Sequence, residues 1–324
     1  MAARAPGMAP TTGVAAGAYV DLQQLVALRR HANDLALGSR QPAHSLSAGR
    51  HATRLRGRGL SFEELRPYWA GDDARLIDWK VTARLRRPFL RLFTEERDRP
   101  VLLVVDQRMN QFFGSQRAFK SVIAAEVAAL LGWAGLARHD RVGAILFDDQ
   151  HCRELRPGRG DRSFLHLLRC LVQQNQALHA LNPGDAPQQL NAALGLALRL
   201  ARHDHQVVLI SDFYGMDAHT RALLTQLRRH NEVLACWTQD PLLTGLSPSD
   251  DLVVSDGRLQ MTLDFGRAEL RQALGRMREQ RSEEIFAWAD GLGIPLLPVS
   301  TAEPVAEQLR GLLGPVQAGS VRRG

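Results

Sequence analysis

Four apolar runs limit what this chain can fold into: VLLVVD (101–106), RVGAILF (141–147), QVVLIS (206–211) and EVLACW (232–237). A strand that met water on one face would alternate apolar and polar residues. Runs this uniform suit strands covered on both faces, as in a parallel sheet. Stretches of helical spacing separate them, at 115–138, 161–178, 187–202 and 217–229. The third of these is apolar at Leu190, Ala193, Leu194, Ala197, Leu198 and Ala201. Alternation of this kind requires crossover connections and predicts an α/β fold with a doubly wound, mostly parallel sheet. HCRELRP (151–157) predicts a short antiparallel edge strand and IPLLPV (294–299) a last strand, with helices at 267–290 and 302–313. LVVSDGRLQMTL (252–263) places Asp256-Gly257 between two apolar arms, which predicts a hairpin. Ligands of such sheets sit beyond the carboxyl ends of the strands, at the point where strand order reverses.

Upstream of the alternation the pattern differs. Residues 19–37 carry Leu22, Leu25, Val26, Leu28 and Leu35 at near-helical spacing, and predict one amphipathic helix with Asp21 as N-cap and Gly38 as stop. Residues 39–56 read as irregular. The block 57–100 holds ten basic and eight acidic residues interleaved with Phe62, Trp69, Trp79, Phe89 and Phe93. It reads as a small β-rich annex of extended pieces and turns, knitted by Arg–carboxylate pairs. The expected organisation is a disordered tail at 1–18, the N-terminal helix and annex at 19–100, the α/β domain at 101–314 and a second disordered tail at 315–324.

Composition removes several function classes. Net charge is +7, but residues 1–58 hold eight Arg and two Asp, so the rest of the chain is close to neutral. Only Lys80 and Lys120 are lysines, a bias that weakens high pI as an argument for nucleic acid. Cys152, Cys170 and Cys236 are far apart and odd in number, which favours neither a zinc site nor a disulfide framework and fits a reducing cytoplasm. No uncharged apolar run reaches the roughly 18 residues of a membrane helix, so no membrane insertion is expected. GxxxxGK[ST] and a GxGxxG following a strand are both missing, so neither nucleotide-binding motif applies, and no cofactor is expected. Ser211-Asp212 lacks a GxSxG elbow, and His203-Asp204-His205 reads as a solvated loop. Asp148-Asp149 and Asp250-Asp251 read as loop caps.

Two stretches carry a family resemblance. GRGLSFEELRPYWAGDDARLIDWKVTAR, continuing to LFTEERDRPVLLVVD, resembles the signature of the bacterial domain-of-unknown-function family 58, and the later LISDF and VSDGR segments are similar to that family too. The resemblance spans roughly residues 45 to 312. It implies a von Willebrand A-like, Rossmann-type domain that works with a MoxR-type AAA+ ATPase and with other von Willebrand A proteins. The role it implies is that of a non-enzymatic adaptor or scaffold in assembly or maturation of protein complexes, with neither catalytic residues nor a metal. Competing readings are a carboxylate- or metal-dependent hydrolase, and nucleic-acid binding through the basic arm at 29–58.

The resemblance also supplies a metal site to test. A von Willebrand A site has Asp-x-Ser-x-Ser after the first strand, a Thr from a later loop and an Asp after the fourth strand. Such oxygen ligands suit a hard divalent cation. Here the first motif reads Asp106-Gln107-Arg108-Met109-Asn110, Asp212 matches the last Asp, and Gln188 aligns with the Thr. Both carboxylates survive and the three hydroxyls are replaced. The expectation is that the Arg108 guanidinium bridges Asp106 and Asp212 in place of a cation. A second expected site is a partner-binding surface on the annex, made of Arg58, Glu63, Glu64, Arg66, Tyr68, Gly71, Asp72, Asp73, Asp78, Trp79 and Lys80. Arg, Trp and Tyr are the side chains that most often anchor protein contacts.

Overall fold

Strands that are apolar on both faces need a helical layer on each side, and the chain supplies two. The computed structural model describes residues 17–33, 35, 60–69, 77–95, 99–179, 184–241, 251–255, 260–264 and 267–313. The N-terminal segment forms α1 (Leu22–Ala27) and α2 (Arg29–Ala32). A separate compact unit, Pro42–Asp98, contains β1 (Leu60–Pro67), α3 (Trp79–Leu85) and β2 (Phe89–Glu95). The large unit continues with β3 (Val101–Asp106), α4 (Lys120–Ala137), β4 (Val142–Phe147), β5 (Cys152–Gly158), α5 (Gly160–Gln176) and α6 (Gln189–Leu200). It ends with β6 (Gln206–Ser211), α7 (Ala218–Arg228), β7 (Glu232–Gln239), the β8–β9 pair (Asp251–Ser255, Gln260–Asp264), α8 (Ala268–Leu292), β10 (Leu296–Ser300) and α9 (Val305–Leu313).

The sheet order is β10-β7-β6-β3-β4-β5, with every pair parallel except the β4–β5 edge. The doubly wound, mostly parallel α/β fold expected from the apolar runs is therefore the fold observed, and β5 is the antiparallel edge strand. Period-two alternation divides the core. Leu103, Val105, Leu146, Val208 and Ile210 point to a layer shared with α4, α5, α9 and the N-terminal helices. Leu102, Val104, Ile145, Phe147, Val207 and Leu209 point the other way, toward α6, α7 and α8. Among the described residues, α4 is the one helix long and apolar enough to cross a bilayer, and most of it is buried in this core. Gly132 on α4 gives Phe164 its seat: an added Cβ would stand 2.2 Å from the Phe164 ring.

Three features depart from the sequence reading. The expected single helix over 19–37 breaks at Leu28 into α1 and α2. Asp21 is the N-cap as expected, in a reciprocal capping box with Gln24, whereas Gly38 lies outside the described residues. This segment also belongs with the large unit rather than with the annex. Leu25 is fully buried there, and the Trp133 indole donates to the Leu25 carbonyl at 3.0 Å. The reason is its leucine stripe, which completes the α4–α5 layer. Finally, the annex contains helix α3, which the charge-dense block concealed. Asp78 starts it, accepting from Lys80 N and Val81 N at 3.0 and 3.1 Å, and Arg86 ends it with a φ of 53°. In that unit β1 and β2 pair antiparallel from Leu60↔Glu95 to Pro67↔Phe89, with a bulge between Phe62 and Glu64. The arms of the expected hairpin pair as β8 and β9, while Asp256-Gly257 and the two tails fall outside the described residues, apart from Gly17 and Ala18.

Candidate functional site

Strand order reverses around β3: the chain steps outward to β4 and β5, then returns to lay β6 on the other side of β3. The carboxyl ends of β3 and β6 thus form the switch point, and Asp106 and Asp212 sit there. They belong to two separate hydrogen-bonded clusters.

Asp106 is completely buried and saturated. Its Oδ1 accepts from the Arg108 backbone N and from Arg108 Nε, both at 3.0 Å. Its Oδ2 accepts from Arg108 Nη2 and Ser211 Oγ, both at 2.7 Å, with Gln111 Nε2 at 3.5 Å. Arg108 is fully buried as well. The rest of its guanidinium reaches backbone carbonyls, of Tyr214 at 3.1 Å and of Ala186 and Pro187 at 3.4 Å. Burial alone would loosen the Arg108 proton, but the adjacent Asp106 carboxylate, together with the charges of Asp212 and Asp149, more than reverses this and holds its pKa above the ordinary value. Ser211 Oγ donates to Asp106 and accepts from Phe213 N at 2.9 Å, which helps hold Phe213 at a φ of 60°. Such a backbone geometry is uncommon outside glycine. A buried amide chain supports the same strand end. Gln107 Nε2 donates to the carbonyls of Asp106 and Ser121, Asn175 Nδ2 donates to Gln107 Oε1, and Val20 N donates to Asn175 Oδ1.

Asp212 is held by different residues. Lys120 Nζ, from the first turn of α4, lies 2.5 Å from Oδ2, Asn110 Nδ2 donates to Oδ1 at 2.7 Å, and Tyr214 N donates at 3.0 Å. Burial pushes this carboxyl upward, but the Lys120 ammonium and these hydrogen bonds outweigh it and leave Asp212 below the usual carboxylate range. Tyr214 links the two clusters, donating from its N–H to Asp212 and accepting Arg108 at its carbonyl. Tyr214 is 45% exposed.

The structure thus brings together Asp106, Arg108, Asn110 and Asp212, but with different partners from those expected. Arg108 does not bridge the two aspartates. It forks onto Asp106 alone, because its own backbone N is already tied to that carboxylate and the side chain folds back along the strand end. Gln188 does not join the cluster: it is exposed, and its loop contributes the carbonyls of Ala186 and Pro187 instead. Sequence reasoning missed Lys120, Ser211's bond to Asp106, Gln111 and Tyr214. It also missed that Asp149 Oδ2 accepts from Met109 N at 2.6 Å, not from its own loop, and that burial raises its pKa. Asp148 does cap its loop, accepting from Gln150 N and His151 N, while Asp251 lies in strand β8 and Asp250 falls outside the described residues. Lys120 had one visible signal, as one of two lysines in an otherwise Arg-only chain.

These groups do not fit a divalent cation. The position beside Asp106 that a cation would take is filled by a guanidinium, the flanking hydroxyls of the motif are gone, and each carboxylate already faces a positive side chain. Among the described residues no group of three His, Cys, Asp or Glu is placed to hold a metal. Ser211 is buried with its hydroxyl engaged, and burial pushes the Cys152 thiol up to about 11 and Cys236 to about 12, far from thiolates at neutral pH. His203 and His205 are occupied locally, with Asp204 and the His203 carbonyl.

On the annex, Trp79 is 69% exposed and Lys80 is exposed, whereas Arg66 and Tyr68 are half-buried. Asp78 drops out of the expected recognition surface, since it is buried and its carboxylate caps α3. Glu63 and Glu64 are described only as backbone on β1; Arg58, Gly71, Asp72 and Asp73 lie outside the described residues.

Fold and site together define a doubly wound α/β domain whose switch-point carboxylates are neutralised by side chains of the same chain. Residues 64–284 match the family described as "Protein of unknown function DUF58", and the chain belongs to that family. It is 29% identical over 300 residues to uncharacterized protein Rv1480 of Mycobacterium tuberculosis (strain ATCC 25618 / H37Rv), covering 92% of this chain and 91% of that protein. Uncharacterized protein Mb1516 of Mycobacterium bovis (strain ATCC BAA-935 / AF2122/97) matches to the same extent. Among solved structures, an aerotolerance-related membrane protein from Bacteroides fragilis NCTC 9343 is similar, with 12% identity, a TM-score of 0.39 and coverage of 66% of this chain and 96% of that one. The conserved hypothetical protein BatB from Bacteroides thetaiotaomicron gives 12% identity, a TM-score of 0.38 and coverage of 65% and 93%.

Proposed function

We propose that this chain is a non-enzymatic interaction adaptor built on a von Willebrand A-like domain, and that it works in the cytoplasm with a MoxR-type AAA+ ATPase in assembling or maturing protein complexes. The observation that carries the non-enzymatic part is the state of Asp106. It is the group best placed to act as base, nucleophile or cation ligand, yet both of its oxygens are taken by buried donors. A general base needs a free lone pair within reach of substrate, and none is left here. The von Willebrand A-like reading is supported by the positions of the two aspartates, after the first and fourth strands of the sheet in chain order. The ATPase partner and the cytoplasmic setting follow from the family resemblance and the cysteine usage. The direct test is affinity purification of the tagged chain from its own cells, followed by mass spectrometry. Recovery of a MoxR-type ATPase supports the reading, and repeated recovery of none refutes it. The hydrolase alternative predicts phosphoesterase activity that disappears in Asp212→Ala.

A further inference from the structure

Beside Asp212, past the carboxyl ends of β6 and β7, lies a groove of about 320 Å³. Phe113, Trp237 and Leu274 give it an apolar lining, and α8 supplies Arg278 and Arg281. Leu274, Arg278 and Arg281 recur at helical spacing, so one face of α8 presents an apolar residue followed by two guanidinium groups. The two carboxylates in the lining are already satisfied. Asp212 faces Lys120, and Asp240 accepts from Ser115 N, Ser115 Oγ and Thr301 Oγ1. Arg281 is anchored, with Nη2 donating to the Phe213 carbonyl at 2.7 Å and Nη1 lying 3.5 Å from Glu284. Arg278 is exposed over the groove.

We infer that this groove binds an extended acidic segment of a partner protein, with a carboxylate on Arg278 and Arg281 and a neighbouring apolar side chain on Leu274 and Trp237. The inference rests on the adaptor reading for the existence of a protein partner. Charge complementarity selects the carboxylate, since a guanidinium fork matches its geometry. The apolar lining of Phe113, Trp237 and Leu274 selects a peptide, which can supply an apolar side chain, over a nucleic-acid backbone.

The test uses the full chain and a fluorescein-labelled synthetic peptide of alternating Glu and Leu, read by anisotropy. A Gln-for-Glu peptide and a single-stranded oligonucleotide serve as competitors. The expected result is saturable binding of the Glu peptide that weakens at least tenfold in Arg278→Glu, recovers only in part in Arg278→Lys, which keeps the charge but not the fork, and weakens with salt. The variant should keep the parent melting temperature, because Arg278 is exposed. Equal binding of the Gln peptide, an unchanged affinity in Arg278→Glu, or efficient competition by the oligonucleotide overturns the inference. The affinity purification above separates the two readings. Recovery of the ATPase with an Arg278-independent peptide leaves the adaptor and removes the groove; Arg278-dependent binding with no ATPase recovered keeps the groove and removes that partner.

Discussion

Replacing Arg108 with Met tests whether the switch point is held by an internal ion pair. Met keeps the unbranched stem as far as the position of Nε, so the change removes the guanidinium head with its charge and donors. Asp106 would lose Nε and Nη2, its two guanidinium donors, and keep the Arg108 backbone N–H, Ser211 and the long contact to Gln111. The carbonyls of Tyr214, Ala186 and Pro187 would lose the donors that now reach them. Both charged groups are fully buried, so solvent cannot substitute, and breaking such a pair from one side costs about 3–5 kcal/mol. For a unit of this size that corresponds to a fall in Tm of roughly 6–20 °C. The double variant Asp106→Asn/Arg108→Met removes both charges and is expected to recover most of the loss, because an apolar–neutral replacement of a buried pair is often close to neutral. Urea unfolding of wild type, both single variants and the double completes a double-mutant cycle. A cost below about 1 kcal/mol for Arg108→Met, or a double variant no more stable than the singles, would refute the buried-pair account.

Three further outcomes follow from the same geometry. Millimolar magnesium should leave Tm unchanged; a site filled to a hundred times its Kd would add about 2.7 kcal/mol, and a rise of that size abolished in Asp106→Ala would restore the cation. Lys120→Met should cost about 1–3 kcal/mol at pH 7 by stranding Asp212. Since the Asp212 pKa lies below its ordinary value, the stability it contributes is present above that value and lost as pH falls through the lowered one. The variant should therefore lose part of the acid dependence of unfolding between pH 4 and lower pH, and a parallel pH profile would contradict the pairing. Gly132→Ala should cost about 1–3 kcal/mol by thermal melting, because the added methyl meets the buried Phe164 ring, and a neutral result would place that ring elsewhere.

What was legible in the sequence depended on range. VLLVVD and QVVLIS declare buried strands within their own residues, and the sheet follows from the order of such runs. Helix α3 was hidden because its start depends on a single cap, Asp78, inside a block whose charges mask any apolar periodicity. In the site, the residue types were readable but their pairings were not. Arg108 could be seen to replace a hydroxyl, yet its choice of Asp106 over Asp212 is decided by a backbone bond two residues away. Gln188 aligns with the motif Thr, but its loop reaches the site through the carbonyls of Ala186 and Pro187 and the Asp185 carboxylate, which accepts from Tyr214 Oη, while Gln188 itself is exposed. Lys120 lies 92 residues from Asp212 in sequence, and only the packing of α4 brings it there. Arg and Lys differ here in consequence as well as in origin. The planar Arg108 fork shuts Asp106 away completely, while the single ammonium of Lys120 leaves the Asp212 side chain 13% exposed. The Asp106–Arg108 pair at the end of β3 is therefore closed to solvent. On the β6–β7 side, by contrast, Asp212, Tyr214 and the arginines of α8 keep partial contact with solvent.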